Sequence, residues 1–156
     1  MTIPIPRRPN SAAARMVGVV TLAVAVAACG GGSRLSKPQF DAKANAICKK
    51  YNAKINAVPA PKSLNDVPAY VGEVKPFVER GVDEIASLNP PRELQDTYDR
   101  WLRTQRAALG EVDQLRRAAE KNDLLAVNRT IGQLHERNKR GNALAAQLGA
   151  SVCAKS

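Results

Sequence analysis

Four stretches of this sequence place apolar side chains three and four residues apart, and this spacing limits the fold more than any other feature. In residues 36–58 the apolar positions fall within an arc of about 100° when they are plotted on a helix. The same period runs through residues 67–88, 91–121 and 124–148. No stretch of five or more residues alternates apolar and polar side chains as a half-buried strand does. The pattern therefore predicts an all-α protein.

Residues that favour helix ends separate these stretches. Ser36 followed three residues later by Gln39 is a capping-box pattern, and Pro91 suits the first position of the third helix. The pair Asn122-Asp123 predicts a C-terminal cap followed directly by an N-cap, and Gly149 is placed to end the fourth helix. Four long helices with short connections predict an up-down-up-down four-helix bundle.

Pro76 falls inside the second predicted helix, which follows the N-cap residue Asp66. Proline removes one helical hydrogen bond, but this position lies nearly opposite the apolar stripe. We therefore expect a bend around the core, and a functional hinge at Pro76 is the alternative.

The first 28 residues are typical of an export signal. Residues 1–15 carry three arginines and no acid, and residues 16–28 are a run of thirteen residues without a charge that ends in small side chains. These are the three parts of a secretory signal peptide. As a helix the run spans roughly 20 Å, which is less than the ~30 Å hydrocarbon core of a bilayer. We expect residues 1–28 to be removed and not to remain as a transmembrane anchor.

The end of this run, Val26-Ala27-Ala28-Cys29, resembles the lipobox of bacterial lipoproteins. In such proteins the cysteine thiol is linked to a diacylglycerol group. Cleavage before this cysteine makes it the new N-terminal residue. Residues 29–36 contain three glycines and two serines, a composition that suits a flexible tether. We expect Cys29 to be acylated and to hold the protein on the extracytoplasmic side of the cell membrane. The alternative is an ordinary signal peptide that is cut nearby, with no lipid on Cys29.

Lipidation of Cys29 leaves two cysteines, Cys48 and Cys153, in a compartment where disulfides persist. Two cysteines allow one pairing. In an up-down-up-down bundle the first and fourth helices are antiparallel, which brings the C-terminal segment beside the part of the first helix that contains Cys48. We expect a Cys48–Cys153 disulfide that closes a bundle formed by residues 37–156.

Few residues of the sequence are candidates for catalytic or metal chemistry. His135 is the single histidine, and Gly132 stands where a di-iron site in a bundle needs a glutamate. Haem attachment through C-x-x-C-H and the nucleophile motif G-x-S-x-G have no match. We expect His135 to lie partly exposed on a helix flank. The sequence predicts no catalytic residue, no metal ligand and no cofactor, and therefore a protein that is not an enzyme.

The chain is basic, with 24 lysines and arginines against 14 acids and a net charge of +10. Loss of residues 1–28 removes three arginines and lowers the mature charge to +7. The basic residues are spread along the mature chain without interleaved aromatic residues, so no nucleic-acid groove is expected. The membrane, an anionic polymer or an envelope protein are the expected partners, and a merely solvated surface is the alternative. Three acid–base pairs have the favourable i,i+4 order on the third helix: Asp96–Arg100, Asp99–Arg103 and Asp113–Arg117.

The mature chain resembles the small α-helical lipoproteins that are common in actinobacteria. The resemblance rests on the lipobox, a first helix of the form F-x-x-x-A-N-A-I-C-x-x-Y-N-A-x-I, the junction L-N-P-P-x-E-L, and a C-terminal A-x-x-x-G-x-x-x-C that ends at Cys153. Apart from the lipobox these motifs are structural. The resemblance implies a location at the cell envelope and no particular activity, cofactor or ligand.

The sequence therefore predicts a non-enzymatic binding or scaffolding module at the outer face of the membrane. The alternative is a carrier that holds a small apolar ligand or a lipid between its helices. The two differ in their cores, because a carrier needs an apolar cavity of about 300 Å³ or more and a scaffold does not.

Overall fold

The computed structural model describes residues 33–155 of the chain. These residues form four α-helices: α1 (Lys37–Asn56), α2 (Val67–Ala86), α3 (Gln95–Glu120) and α4 (Leu124–Gln147). Short 3₁₀ turns lie at Leu64–Asp66, Arg92–Leu94 and Cys153–Lys155. The described part of the chain contains no strand, so the all-α prediction is confirmed. The predicted signal peptide and Cys29 lie outside the described residues.

The helix ends follow the predicted capping residues. The Ser36 backbone N–H donates to the Gln39 side-chain oxygen at 3.0 Å, as the capping-box pattern predicts. Between α3 and α4, Asn122 adopts a left-handed backbone with φ of 52°. Asp123 then caps α4, and its carboxylate accepts the Ala126 N–H at 3.0 Å. Two neighbouring polar residues thus end one helix and start the next.

The third helix begins later than the sequence predicts. Pro91 has an extended backbone with φ −54° and ψ 149° and precedes a 3₁₀ turn, so its assignment to the first helical position is wrong. The Leu94 N–H donates to the Pro91 carbonyl at 3.1 Å, which closes a 3₁₀ turn before α3. Arg34, which precedes α1, also donates to the Pro90 carbonyl at 2.9 Å and holds the Pro-Pro segment in place.

Helix α2 is continuous through Pro76, so the prediction of an unbroken helix is confirmed. Beside it, the Lys75 ammonium contacts Asp113 of α3 at 2.9 Å and Glu79 at 3.3 Å. The hydrogen bond to Asp113 is the largest cause of a raised pKa at Lys75. Asp113 therefore pairs across helices with Lys75 and not with Arg117, its predicted partner on the same helix. Packing between helices overrides the local i,i+4 arrangement here.

The largest fully buried side chains, Phe40 and Leu148, lie where the starts of α1 and α3 meet the end of α4. We call this region the closed end, and it consists of Phe40, Ala44, Tyr98, Ala145 and Leu148. Phe40 is fully buried and packs edge-to-face against Tyr98, with ring centroids 5.8 Å apart. The buried Tyr98 hydroxyl lies 2.7 Å from the Ile85 carbonyl, to which it donates. Burial raises the pKa of Tyr98 to about 12 because the charged phenolate would lose its hydration there.

A C-terminal tail after α4 returns across α1. Gly149, with φ of 79°, ends the helix as predicted. The Asn45 side chain donates to the Gly149 carbonyl at 3.1 Å and accepts the Val152 N–H at 2.8 Å. Cys48 and Cys153 then form the predicted disulfide, with their Cα atoms 5.3 Å apart.

The backbones of helices α1 and α4 stay apart, although their side chains share the core at the closed end. Within residues 33–155, no Cα atoms of these two helices approach within 8 Å, and the tail at Cys153–Lys155 bridges them instead. The predicted disulfide is present, but its predicted cause is wrong. The tail at residues 149–153, and not direct packing of α4 beside α1, brings Cys153 close to Cys48. Beyond the bridge the gap between α1 and α4 remains open.

Candidate ligand-binding grooves

A groove of about 520 Å³ occupies the gap between α1 and α4, and α2 and α3 also line it. Its volume falls within the range of small-molecule sites. Cys48 and Cys153 lie on its wall, so the disulfide fixes the spacing of α1 and the tail there. We call this space the apolar groove, after six side chains that line it: Ile55, Tyr70, Val74, Phe77, Val78 and Trp101.

Carboxamide side chains also line the apolar groove. They come from α1, α3 and α4, and they are Asn52, Asn56, Gln105, Asn138 and Asn142. Asn138 falls inside the apolar arc of the fourth predicted helix, and the groove explains this break in the pattern. Amides donate and accept hydrogen bonds without a charge. The groove therefore combines an apolar surface with neutral polar groups, and Lys155 is the charged residue on its lining.

Trp101 of α3 lines the apolar groove and has a hydrogen-bond donor that is not used. The residue is 5% exposed, and its indole N–H is buried without a partner among the described residues. A buried donor left without an acceptor costs roughly 1–3 kcal/mol, so native structures rarely keep one without a reason. An acceptor on a bound molecule would satisfy it.

One wall of the groove is fixed by close contact between α1 and α2. A Cβ atom on Gly81 would lie 3.2 Å from the Tyr51 ring, so glycine allows this approach. The Tyr51 hydroxyl donates to Glu84 at 3.0 Å, and the Lys50 ammonium contacts the same carboxylate at 2.7 Å. The hydrogen bond from Lys50 is the largest cause of the lowered pKa of Glu84. This network holds the α1 wall while the α4 wall is joined through the disulfide.

A second groove, of about 420 Å³, lies between α3 and α4 and shares no lining residue with the apolar groove. Four arginines line it, and we call it the arginine groove: Arg100, Arg103, Arg137 and Arg140. The sequence suggests that the basic charge is spread and not gathered in one groove, and for these four residues that is wrong. Pairing of α3 with α4 brings together arginines that are 37 residues apart in sequence, such as Arg100 and Arg137.

Arg137 is anchored at the arginine groove by a buried acid. Its guanidinium forms a short ion pair with Glu111 of α3, whose side chain is 10% exposed. The hydrogen bond to Glu111 is the largest cause of the raised pKa of Arg137. The ion pair keeps the Arg137 side chain in one place, whereas a solvated arginine side chain would move freely.

The remaining predictions about the site concern absences and the anchor. His135 is exposed on α4. Residues 33–155 contain no group of three or more histidines, cysteines or acids that could hold a metal ion. No helix in this part of the chain is long and apolar enough to cross a membrane. The acylation of Cys29 stays a prediction, because this residue precedes the described part of the chain.

The described residues form a disulfide-closed helical bundle in which the apolar groove and the arginine groove differ in their chemistry. No family model, curated protein or solved structure is similar to the chain at a significant level. The two grooves are therefore the basis for assigning a function.

Proposed function

We propose that the protein is a membrane-anchored extracytoplasmic carrier that binds a small, neutral, amphipathic ligand in the apolar groove. The observation that carries the proposal is the unpartnered indole N–H of Trp101, a residue that lines a groove of about 520 Å³. We expect a ligand with an apolar body and an acceptor such as an ester or amide carbonyl. The groove would bury the apolar body, and the carbonyl would accept a hydrogen bond from the indole N–H.

The groove favours the carrier over a scaffold with a solid core. A scaffold has no use for a half-open core lined by Val74, Phe77 and Val78, whose exposed apolar surface costs stability. The carboxamides on the lining match hydroxyl or carbonyl groups of a ligand. Apart from Lys155 the residues on the lining are uncharged, so most of the groove suits the uncharged groups of a neutral ligand.

The anchor in this proposal is the acylated Cys29. Its support is the lipobox, the preceding basic and apolar segments, and the glycine-rich tether. The disulfide within the described residues agrees with an oxidising compartment. A carrier held at the bilayer would have a lipid-derived ligand within reach.

Ligand binding can be measured directly, because Trp101 is the single tryptophan of the chain. Titration with monolauroylglycerol, a neutral single-chain ester, is expected to change Trp101 fluorescence saturably at one molecule per protein. The double variant Val74→Phe/Val78→Phe fills the groove and should lose binding. Ile131→Phe adds the same ring at an exposed site outside the groove and should bind normally.

Trp101→Phe tests the role of the indole donor. Because this variant lacks the fluorescent side chain, binding of the ester is followed by displacement of the neutral dye Nile red. Loss of one hydrogen bond of about 0.5–1.5 kcal/mol predicts roughly 2- to 13-fold weaker binding of the ester. A titration without saturable change in the wild type would instead return the protein to the scaffold class.

The anchor is tested separately in the native host. The wild-type protein should partition into detergent with the membrane fraction, and Cys29→Ala should block addition of the lipid. A wild-type mature protein of unmodified mass, free in the medium, would contradict the anchor and leave the ligand assay unaffected.

A further inference from the structure

The arginine groove carries positive charge that the protein itself does not neutralise. Arg100, Arg103 and Arg140 have no carboxylate within 4 Å among the described residues. Asp96 and Asp99 stand four residues before two of these arginines, in the order that favours ion pairs, yet neither pair forms. The guanidinium groups therefore remain available to an external anion.

The fourth arginine is held rigidly at this groove. Arg137 is fixed by the buried Glu111, so one guanidinium is positioned before any ligand arrives. Its Nε–H is buried and has no acceptor within residues 33–155. A planar guanidinium binds phosphate through paired hydrogen bonds, and pre-positioning reduces the entropy lost on binding.

The position of the groove in the bundle indicates the source of the anion. Arg34 donates from its guanidinium to the Pro90 carbonyl at 2.9 Å and to Gln95 at 2.8 Å, which fixes the beginning of the domain beside the start of α3. Arg34 is the fifth residue after Cys29, so an acylated Cys29 keeps Arg34 within about 18 Å of the membrane surface. Arg100 lies about 8 Å further along α3 from Gln95. The groove therefore opens near the end of the domain that the anchor would hold at the lipid headgroups.

We propose that the arginine groove binds the phosphate of an anionic phospholipid headgroup and docks the bundle against the outer face of the membrane. The proposal rests on the Cys29 anchor of the proposed function for its choice of a membrane phosphate. It does not depend on a ligand in the apolar groove. Headgroup binding would hold the bundle in one orientation, which a flexible tether alone does not do.

Vesicle co-sedimentation of residues 32–156 without a lipid tests the site. Gly32–Ser156 form one compact unit that contains the entire described core and the disulfide, so this part keeps the contacts that shape the arginine groove. At low ionic strength it should bind vesicles of phosphatidylcholine with phosphatidylglycerol and not vesicles of phosphatidylcholine alone. Because Cys29 is missing, failure of the anchor would not alter this assay.

Two triple variants that lose the same charge distinguish binding at the arginine groove from general attraction by the positive surface. The groove variant is Arg100→Gln/Arg103→Gln/Arg140→Gln, and we expect its partition coefficient to fall on the order of tenfold or more. The control variant changes three exposed lysines outside the groove and should lose no more than about threefold: Lys43→Gln, Lys49→Gln and Lys121→Gln. Both variants should keep the helical circular dichroism of the wild type.

The outcomes decide the proposal in both directions. A selective loss in the groove variant supports it, and so does competition by inorganic phosphate beyond that of chloride at equal ionic strength. Equal loss in both variants would reduce the arginines to general surface charge. Binding of inorganic phosphate without binding of the anionic vesicles would overturn the membrane assignment.

Discussion

The two halves of α1 pack in different ways. Its first half, with Phe40 and Ala44, is buried in the closed end against α3 and the end of α4. Its second half, with Asn52 and Ile55, lines the apolar groove and remains partly exposed. The same helix therefore contributes to a packed core on one side of Cys48 and to the wall of a groove on the other.

The difference follows from how the bundle is closed. A disulfide and a short tail join α1 to α4 at one level, and no helix-to-helix packing joins them beyond it. Burial at the closed end supplies stability, because each large apolar side chain contributes about 1.5–3 kcal/mol when it is removed from water. The open half can then keep its apolar surface for a ligand.

The largest expected effect comes from removing the covalent link. Cys48→Ser/Cys153→Ser opens a loop with a sequence separation of 105, for which chain entropy predicts a loss of roughly 4–5 kcal/mol. Thermal unfolding followed by circular dichroism should show a fall in Tm of about 15–25 °C with helical structure retained. The wild type under reducing conditions should match the variant. A Tm within a few degrees of the oxidised wild type would show that the closed end is held by packing alone.

A pair of phenylalanine substitutions compares the two halves directly. Phe40→Ala removes a fully buried ring from the closed end and should cost about 3–5 kcal/mol in urea unfolding. Phe77→Ala removes a partly exposed ring from the apolar groove and should cost about 1 kcal/mol. Ligand binding should respond in the opposite order. Similar stability losses at both positions would mean that the groove is a packed part of the core.

The closed end should also respond to alkaline pH. The pKa of Tyr98 is raised to about 12, whereas an unfolded tyrosine titrates near 10. The folded state therefore holds a proton that the unfolded state loses, and stability present below pH 10 falls as the pH rises from 10 to 12. The expected loss is roughly 2–3 kcal/mol. In an absorbance titration, one tyrosine should ionise at higher pH than the other two, and this step should be missing in Tyr98→Phe. Ionisation of all three tyrosines together near pH 10 would refute the raised pKa of Tyr98.

Two glycines on the α4 side should show the smallest effects, with opposite signs. A Cβ atom on Gly149 would lie 2.4 Å from the Asp41 carboxylate, and its φ of 79° disfavours alanine, so Gly149→Ala should cost about 1–2 kcal/mol. Gly132 lies in the middle of α4 with nothing within 4 Å of its Cβ position. Gly132→Ala should stabilise the protein by about 0.5–1 kcal/mol. Chemical unfolding measures both, and a loss at Gly132 would indicate an unseen contact there.

Much of the fold could be predicted from the sequence because its signals are local. The caps at Ser36 and Asp123 and the end of α4 at Gly149 depend on neighbouring residues, and the structure confirms them. The disulfide followed from a count of cysteines once Cys29 was assigned to a lipid. Pro91 misled the assignment of a helix start, because it precedes a 3₁₀ turn and its neighbour Pro90 accepts a hydrogen bond from the distant Arg34.

The grooves depend on how helices pair, and the sequence contains only indirect signs of them. Arginines from α3 and α4 meet because of the rotation of two helices about their axes, which a linear charge count does not contain. Asn138 was a usable sign, since a polar residue within an apolar arc has to face either a partner or an opening. The unpartnered donor of Trp101 could be recognised only after its neighbours were placed.

The disulfide also sets the time at which the domain can be locked. Cys48 belongs to the first helix and Cys153 follows the last, so 105 residues of chain separate the synthesis of the two thiols. At roughly 5–20 residues per second, the first thiol waits about 5–20 s for its partner. The bond can therefore close only after all four helices have been synthesised, so it cannot hold together an incomplete bundle during synthesis.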